Sequence, residues 1–489
     1  MRTTKKLILL IMMMLLAFSC KNEKTTKALP NTASPETESV ELEEKEETLV
    51  EMTPITNDIL ETAIIYEANI RQYSPEGTFN AFTKDIPELK ELGVKIIWLM
   101  PVFPISKTKR KATGGEFASL IEDEAERAKM LGSYYAVTDY TKINPEFGTI
   151  KDFRALVNEA HKHGIYVILD WVPNHTGWDH EWLKNHPEYY TQNGKGEVIH
   201  PDETDWTDVA DLNYDNTDMR KEMIADMGYW ITEQGVDGFR CDVAGSVPLD
   251  FWEEAIPQLR SKKDIFMLAE AWEPELLKAN LFDMAYAWEG HHLLNDMANE
   301  KKSLMDWDKY ATKVITDYER DDILMNFLTN HDENSWNGTI QERMGDASEL
   351  MTVFSYIIPG MPLIYSGQEY GLNHRLKFFE KDSISKTKGR QWEVLKKLGT
   401  LKNTHEALNG GKQSASYLIF ETDNKYVLKY IRSKAGKKIT FIANFSSKPQ
   451  TFKMTSAGKF LDYMTREEVQ FNNKNVTLDP WGYKVLTDL

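Results

Sequence analysis

The sequence predicts a parallel (β/α)8 TIM barrel with two additions: a small domain B inserted after the third strand and a C-terminal antiparallel β-sandwich. Three observations predict it. Eight short runs, most of them continuous in Val, Ile and Leu, alternate with amphipathic helical stretches between residue 59 and about residue 412. Runs without apolar–polar alternation suit parallel strands covered on both faces. Acidic residues close several of these runs, at the strand ends where barrel active sites are built. Beyond about residue 414 the helical spacing stops and only short strand-like runs follow.

The runs fall at 63–66, 94–100, 165–171, 236–242, 265–270, 283–286, 323–328 and 362–365. Phe79, Phe82, Ile86, Leu89 and Leu92 are spaced to face a core, which predicts a helix over 79–92. A second helix is predicted over 152–163, with Thr149 and Asp152 as a capping box and Gly164 as its stop. Residues 174–217 are rich in Asn, Asp, His and Trp and form the inserted domain B, and 104–134 form a further excursion. Such insertions project from the C-terminal face of a barrel. Strand-like runs at 416–420, 426–431, 438–445 and 483–486 set the sandwich at 413–489, leaving 59–412 for the barrel.

The chain has 489 residues, too many for one ordinary core, and 41% of them are hydrophobic, which excludes a wholly disordered polymer. Its net charge of −18 repels phosphate backbones and argues against nucleic acid as a partner. A neutral ligand is indifferent to that charge.

Arg2, Lys5 and Lys6 precede an apolar stretch over 7–18, which is shorter than the roughly 20 residues of a spanning helix. The pattern reads as a signal peptide at 1–20. Leu16-Ala17-Phe18-Ser19-Cys20 resembles a bacterial lipobox, which predicts lipidation at Cys20; the alternative is a plain secretory signal with an incidental cysteine. Lys21 then suggests an exported lipoprotein anchored to the outer membrane. Cys241 would be the one thiol left in the folded body, without a disulfide to rely on. Residues 21–58 are charged and poor in aromatics, the composition of a disordered acidic tether.

Residues two apart on a strand share a face, so Arg240 and Asp242 at the end of the fourth run point the same way. Glu270 ends the fifth run, and Asn330-His331-Asp332 follows the seventh. Three carboxylates therefore meet on one rim. Taken singly, each reads as a helix cap or a loop ion pair. Together with Arg and His companions they suit glycoside hydrolysis with retention, in which one carboxylate attacks the sugar and another protonates the leaving oxygen. Arg240 would hold Asp242 ionised, and crowding by other acids would keep a proton on Glu270.

Asp170-Trp171-Val172-Pro173-Asn174-His175, Gly238-Phe239-Arg240-Cys241-Asp242, Ala269-Glu270 and Asn330-His331-Asp332 closely resemble the four ordered signature regions of the α-amylase family. The resemblance implies a covalent glycosyl-enzyme mechanism on α-glucans or maltooligosaccharides. Asp242 would be the nucleophile, Glu270 the acid/base and Asp332 the transition-state stabiliser. Substrate contacts are implied for Arg240, His175 and His331, with Tyr135 stacking on the sugar. Trp178, Trp206 and Trp336 read either as packing or as further sugar platforms. The resemblance further implies a Ca²⁺ site at Asn174 and Asp211, an ion the mechanism does not require. Gly245-Ser246 stands where many members carry Lys-His, which puts one calcium ligand and a leaving-group-side contact in doubt. The same scaffold serves neopullulanases, cyclomaltodextrinases and α-glucosidases. The absence of a front sandwich favours an α-amylase, while the 104–134 excursion points to a cleft narrowed toward short substrates. A glucan-binding barrel without activity is the rival from another class, and the presence of all three carboxylates argues against it. Oligomeric state is not legible.

Overall fold

The computed structural model describes residues 48–455 and 457–488. The signal segment, Cys20 and the tether up to residue 47 lie outside the described residues. In chain order the first ten strands are β1 (Ile65–Ala68), β2 (Ile96–Leu99), β3 (Tyr166–Trp171), β4 (His175–Gly177), β5 (Val209–Asp211), β6 (Gly238–Cys241), β7 (Phe266–Ala269), β8 (Met284–Tyr286), β9 (Ile323–Asn326) and β10 (Met361–Tyr365). Eight of them close a parallel barrel in the order β1-β10-β9-β8-β7-β6-β3-β2. All eight runs read from the sequence are barrel strands. The remaining pair, β4 and β5, forms an antiparallel ribbon in the inserted domain B.

Strand phase explains how this barrel makes a site. Ile65, Ile96, Tyr166, Ile168, Phe266, Leu268, Met284, Ile323 and Met325 pack together in the barrel interior. Two residues further along the same faces stand Glu67, Trp98, Asp170, Glu270 and Tyr286. The interior is apolar toward the N-terminal end and polar toward the C-terminal end. Gly238 opens β6 with φ +152, and a Cβ there would sit 1.9 Å from the Phe266 carbonyl oxygen. Only glycine lets β6 approach β7 this closely.

One of the two expected helices differs from expectation. The helix over 79–92 is two helices, Phe79–Thr83 and Ile86–Glu91. Pro87 has no N–H to donate to the carbonyl four residues back, so the helix breaks before it. The second expected helix forms over Ile150–Lys162, and its Thr149–Asp152 capping box closes as read, with Thr149 N donating to Asp152 Oδ2 at 2.8 Å.

Of the expected tether, residues 48–58 belong to the folded body. Val50 N donates to Asn158 Oδ1 at 2.7 Å, and His161 Nδ1 lies 2.8 Å from Val50 O. Met52, Ile55 and Ile59 pack against the interior barrel cluster. A chain begun at Ile59 is therefore expected to lose about 2–4 kcal/mol of stability relative to one begun at residue 48. Equal thermal midpoints for the two chains would refute that packing role.

The C-terminal domain has twice the expected strands: β11 (Ser416–Phe420), β12 (Val427–Lys434), β13 (Lys437–Asn444), β14 (Gln450–Lys453), β15 (Ala457–Asp462), β16 (Glu467–Asn472), β17 (Asn475–Leu478) and β18 (Tyr483–Thr487). Six form one sheet in the order β11-β12-β13-β18-β15-β16, and β14 pairs with β17 across from it. Val427, Ile442, Phe452, Phe471, Leu478 and Leu486 fill the space between the sheets. The strands missed by the sequence reading bury one residue each and are otherwise exposed or half-buried with polar residues interspersed, so they carry no apolar run. Arg432 docks this domain on the barrel, donating to Ile357 O and Asn409 O at 2.7 Å each.

Candidate active site

Arg240 is the hub. Its guanidinium is fully buried, and Nη1 donates to Asp170 Oδ1 at 2.7 Å and to Asp242 Oδ1 at 2.9 Å. Nε donates to the Tyr286 hydroxyl at 3.2 Å. Nη2 lies 2.8 Å from Glu270 Oε2, a charge contact without hydrogen-bond alignment. The hydrogen bond to that oxygen comes from Val243 N at 2.8 Å. Val243 sits at φ +39, a left-handed conformation that is costly for a β-branched residue. That strain lies beside the nucleophile, where it turns a backbone donor toward the acid.

Asp170 is saturated: Trp98 Nε1 and the Tyr135 hydroxyl donate to Oδ2 at 3.1 and 3.0 Å, opposite the Arg240 bond. The Tyr135 hydroxyl is also 2.8 Å from His331 Nε2. Because Tyr135 gives its proton to Asp170, its oxygen accepts from His331. The other ring nitrogen of His331 is 2.6 Å from Glu67 Oε1, and Asp332 Oδ2 lies 3.3 Å from Nε2. Burial alone would strip the proton from His331, but Asp332 and Glu67 override it and keep the imidazole charged.

Five carboxylates (Glu67, Asp170, Asp242, Glu270, Asp332) thus face two cations, Arg240 and His331. The excess of negative charge appears where a proton is wanted. Burial pushes Glu270 up to about 7, Arg240 opposes it, and Asp242 and Asp332 add to it. Asp332 goes the other way. Its surroundings raise the carboxyl, yet His331 outweighs them and holds it ionised, with 40% of the side chain open to the cleft. Asp242 departs from the sequence expectation: burial lifts its carboxyl above the ordinary aspartate range, and Arg240 only partly restores it. A nucleophile held this way is not over-stabilised by its partner and keeps its reactivity.

The proton on Glu270 has a testable consequence. A carboxyl whose folded pKa is raised favours folding below the ordinary glutamate range, and that contribution is lost as pH rises toward about 7. Glu270→Gln is therefore expected to gain stability relative to the parent as pH climbs through this window. Its kcat/KM on unactivated glucans should fall by about 10²–10⁴-fold, while kcat/KM on aryl glycosides bearing good leaving groups, which reads only the first step, is largely spared. Equal losses on both substrate types would remove Glu270 from the acid role.

Around this centre lies a cleft of about 650 Å³, lined among others by Tyr135, His175, Trp206, Trp336 and Phe378. Burial pushes His175 down to about 3, so it is neutral. Its Nδ1 lies 3.3 Å from Asn174 Nδ2, which leaves Nε2–H to donate into the cleft. Trp336 Nε1 donates to Asp332 Oδ1 at 3.2 Å. Phe378 lies parallel to Tyr135, with ring centroids 6.4 Å apart. Trp178 is not among the lining residues: Lys109 covers its ring at 3.3 Å and its indole donates to Thr207 O. The 104–134 excursion does reach the cleft, through Lys111, Gly114 and Gly115. Thr113 ties it to Glu380 at 2.6 Å.

Asn174 and Asp211 meet at the β4–β5 ribbon, where Leu212 N donates to Asn174 O at 3.2 Å. Burial and nearby Asp202 hold Asp211 above its usual range despite a hydrogen bond from Thr191. Among the described residues no group of three or more His, Cys, Asp or Glu is gathered for a metal. Two side chains supply only part of the six to eight oxygens calcium takes, so carbonyls and water would have to complete the shell. No step of the chemistry runs through such an ion.

Glu67, Trp98 and Tyr286 were missed by the sequence reading. Glu67 carried a signal, a lone charge in the buried strand Ile65–Ala68 on the same face as Ile65. Trp98 and Tyr286 carried none, since aromatic residues are ordinary in buried strands.

A closed barrel that brings Asp242, Glu270 and Asp332 to one cleft, with burial raising the Glu270 carboxyl and His331 holding Asp332 low, has the site of a glycoside hydrolase. The α-amylase catalytic domain profile matches residues 56–208 and 202–407. The chain belongs to the α-amylase family. It is 24% identical to α-amylase 3 of Dictyoglomus thermophilum, over 86% of this chain and 92% of that one. The crystal structure of an α-amylase from Lactobacillus plantarum superposes with a TM-score of 0.77 at 28% identity, covering 89% of this chain and all of that one. A noncanonic maltogenic α-amylase from Thermotoga neapolitana gives 0.77 at 27% identity, over 88% and 99%.

Proposed function

We propose that the chain is a retaining α-amylase that cuts α-1,4 bonds in starch-like glucans, exported and held at the outer membrane by lipid on Cys20. One observation carries the chemistry: a single guanidinium holds both Asp242 and Glu270 at the floor of the cleft that Tyr135 lines. Asp242 attacks the anomeric carbon while Glu270 gives its proton to the leaving oxygen. Asp332 faces the positive charge that develops on the ring, which a preorganised anion stabilises. Glu270, then ionised, takes a proton from water as the water displaces Asp242.

A second reading, cyclomaltodextrinase-like specificity on short or cyclic glucans, is favoured by the Lys111–Gly115 wall of the cleft. A cyclomaltodextrinase of Thermoanaerobacter pseudethanolicus is among the relatives, 24% identical over 83% of this chain and 70% of its own. A timed product profile on amylose, pullulan, β-cyclodextrin and maltotriose separates the two. A spread of maltooligosaccharides from amylose with cyclodextrin spared supports the α-amylase. Rapid cyclodextrin opening or panose from pullulan supports the second reading, and no turnover on any of them rejects both.

Calcium is proposed only as a structural ion at Asn174 and Asp211. Chelation should then lower the melting temperature without changing product anomers, and an unchanged melting temperature removes the ion from the account. For the anchor, Cys20→Ser should release the protein from membranes.

A further inference from the structure

We propose that Glu67, which lies outside the four signature regions, is a positioning residue for the reaction: from β1 it sets the direction of a hydrogen-bond chain that runs through His331 and Tyr135 to Asp170. The inference rests on the glucan-cutting reading above. Glu67 is fully buried in the barrel wall. Its Oε1 accepts twice from His331, from the ring Nδ1 at 2.6 Å and from the backbone N at 3.3 Å. Its Oε2 finds no donor among the described residues. A side chain kept only for packing would not carry that orphaned oxygen, because burying an unpaired carboxylate atom is costly and leucine fills the same space. Burial raises the Glu67 carboxyl, and the charges of His331 and then Arg240 pull it back.

The protons fix the direction of the chain. With both ring nitrogens protonated, His331 gives Nδ1–H to Glu67 and Nε2–H to the Tyr135 oxygen 2.8 Å away, and Tyr135 gives its own proton to Asp170. The two rings stack with centroids 5.4 Å apart, and both residues line the cleft. Asp332, Glu67 and Asp170 act on the His331 charge, while Arg240, Tyr286 and Tyr365 face Glu67. Glu67 is the partner of Nδ1, the nitrogen turned away from Tyr135. Take its charge away and keep its oxygen, and the backbone N–H of His331 still pins that oxygen in place as an acceptor. Nδ1 then keeps its proton and Nε2 is the nitrogen that loses one. Nε2 becomes an acceptor, the Tyr135 hydroxyl turns from Asp170 to His331, and Asp332 loses the cation 3.3 Å away. Three groups that line the cleft change together.

Glu67→Gln tests this with α-maltosyl fluoride, whose leaving group needs no proton, so that kcat/KM is free of the Glu270 titration. Asp332 still faces the ring in the variant, so His331 should titrate above an ordinary histidine and below the parent. The ratio of variant to parent kcat/KM is expected to lie within about threefold of unity at pH 6 and to fall by about tenfold or more by pH 9. A ratio that stays constant with pH, at unity or far below it, overturns the proposal, because a merely structural role lowers activity evenly. The parent supplies a second reading that no folding defect can spoil. Its His331 ring-nitrogen resonances, assigned by their loss in His331→Gln, should show both nitrogens protonated at pH 7, and a neutral ring there overturns the proposal. A parent that does not turn over α-maltosyl fluoride at any pH rejects the glucan reading instead.

Discussion

Asp242→Asn is expected to lower kcat on any α-glucan by about 10⁴–10⁶-fold, the scale seen when a nucleophile is removed from a preorganised site. The change keeps the side-chain volume and its oxygen, so the amide still accepts from Arg240 Nη1, now 2.9 Å from Asp242 Oδ1. It also deletes the carboxylate that faces Asp170 across Arg240 and crowds Glu270. Stability should therefore hold or rise slightly, the trade expected when a strained catalytic group is neutralised. The proton on Glu270 should loosen as well, because Asp242 helps to keep it there. Melting curves and kcat on amylose check both halves, and near-normal turnover would dismiss the nucleophile assignment.

The second large effect is structural. Arg240→Ala takes the cation from between Asp170, Asp242 and Glu270, leaving Asp170 with no accessible surface and no ion-pair partner in contact, only the more distant His331. Breaking a buried ion pair from one side costs about 3–5 kcal/mol, because the remaining charge stays desolvated. Here three acids are orphaned together, and each can escape only by taking up a proton. The variant should be inactive and should gain stability as pH falls through the range where those carboxyls protonate. Arg240→Lys should recover part of the stability and little of the activity, since an ammonium cannot span three carboxylates with fixed geometry. Urea denaturation at pH 5 and pH 8 reads this directly. A variant as stable as the parent at pH 8 would mean that Arg240 is not the hub.

The barrel was legible because its strands are short apolar runs with no alternation, and that composition belongs to parallel strands buried on both faces. The catalytic acids were legible for a related reason: Asp242 and Glu270 close such runs, where charge has no packing role, and Asp332 follows one directly beyond the strand end. What stayed hidden lacked contrast. β14 and β17 of the sandwich are half-exposed and mostly polar, so their burial comes from partners distant in sequence. The break at Pro87 was visible but was overridden by regular apolar spacing on either side of it. Met52 and Ile55 sit in a stretch whose composition reads as tether, yet they cap the barrel interior. The electrostatics went furthest beyond the sequence. Adjacency of Arg240 and Asp242 suggested an ionised nucleophile, whereas the depth of burial lifts that carboxyl above its usual range.

The most direct test of the central claim is to trap the glycosyl-enzyme with a fluorinated α-glucosyl fluoride and locate the label by peptide mass spectrometry. The account predicts one sugar on the peptide that contains Asp242, with reducing-end products released first as the α-anomer in NMR. A label on another carboxylate, or β-anomers as first products with no label, would contradict it.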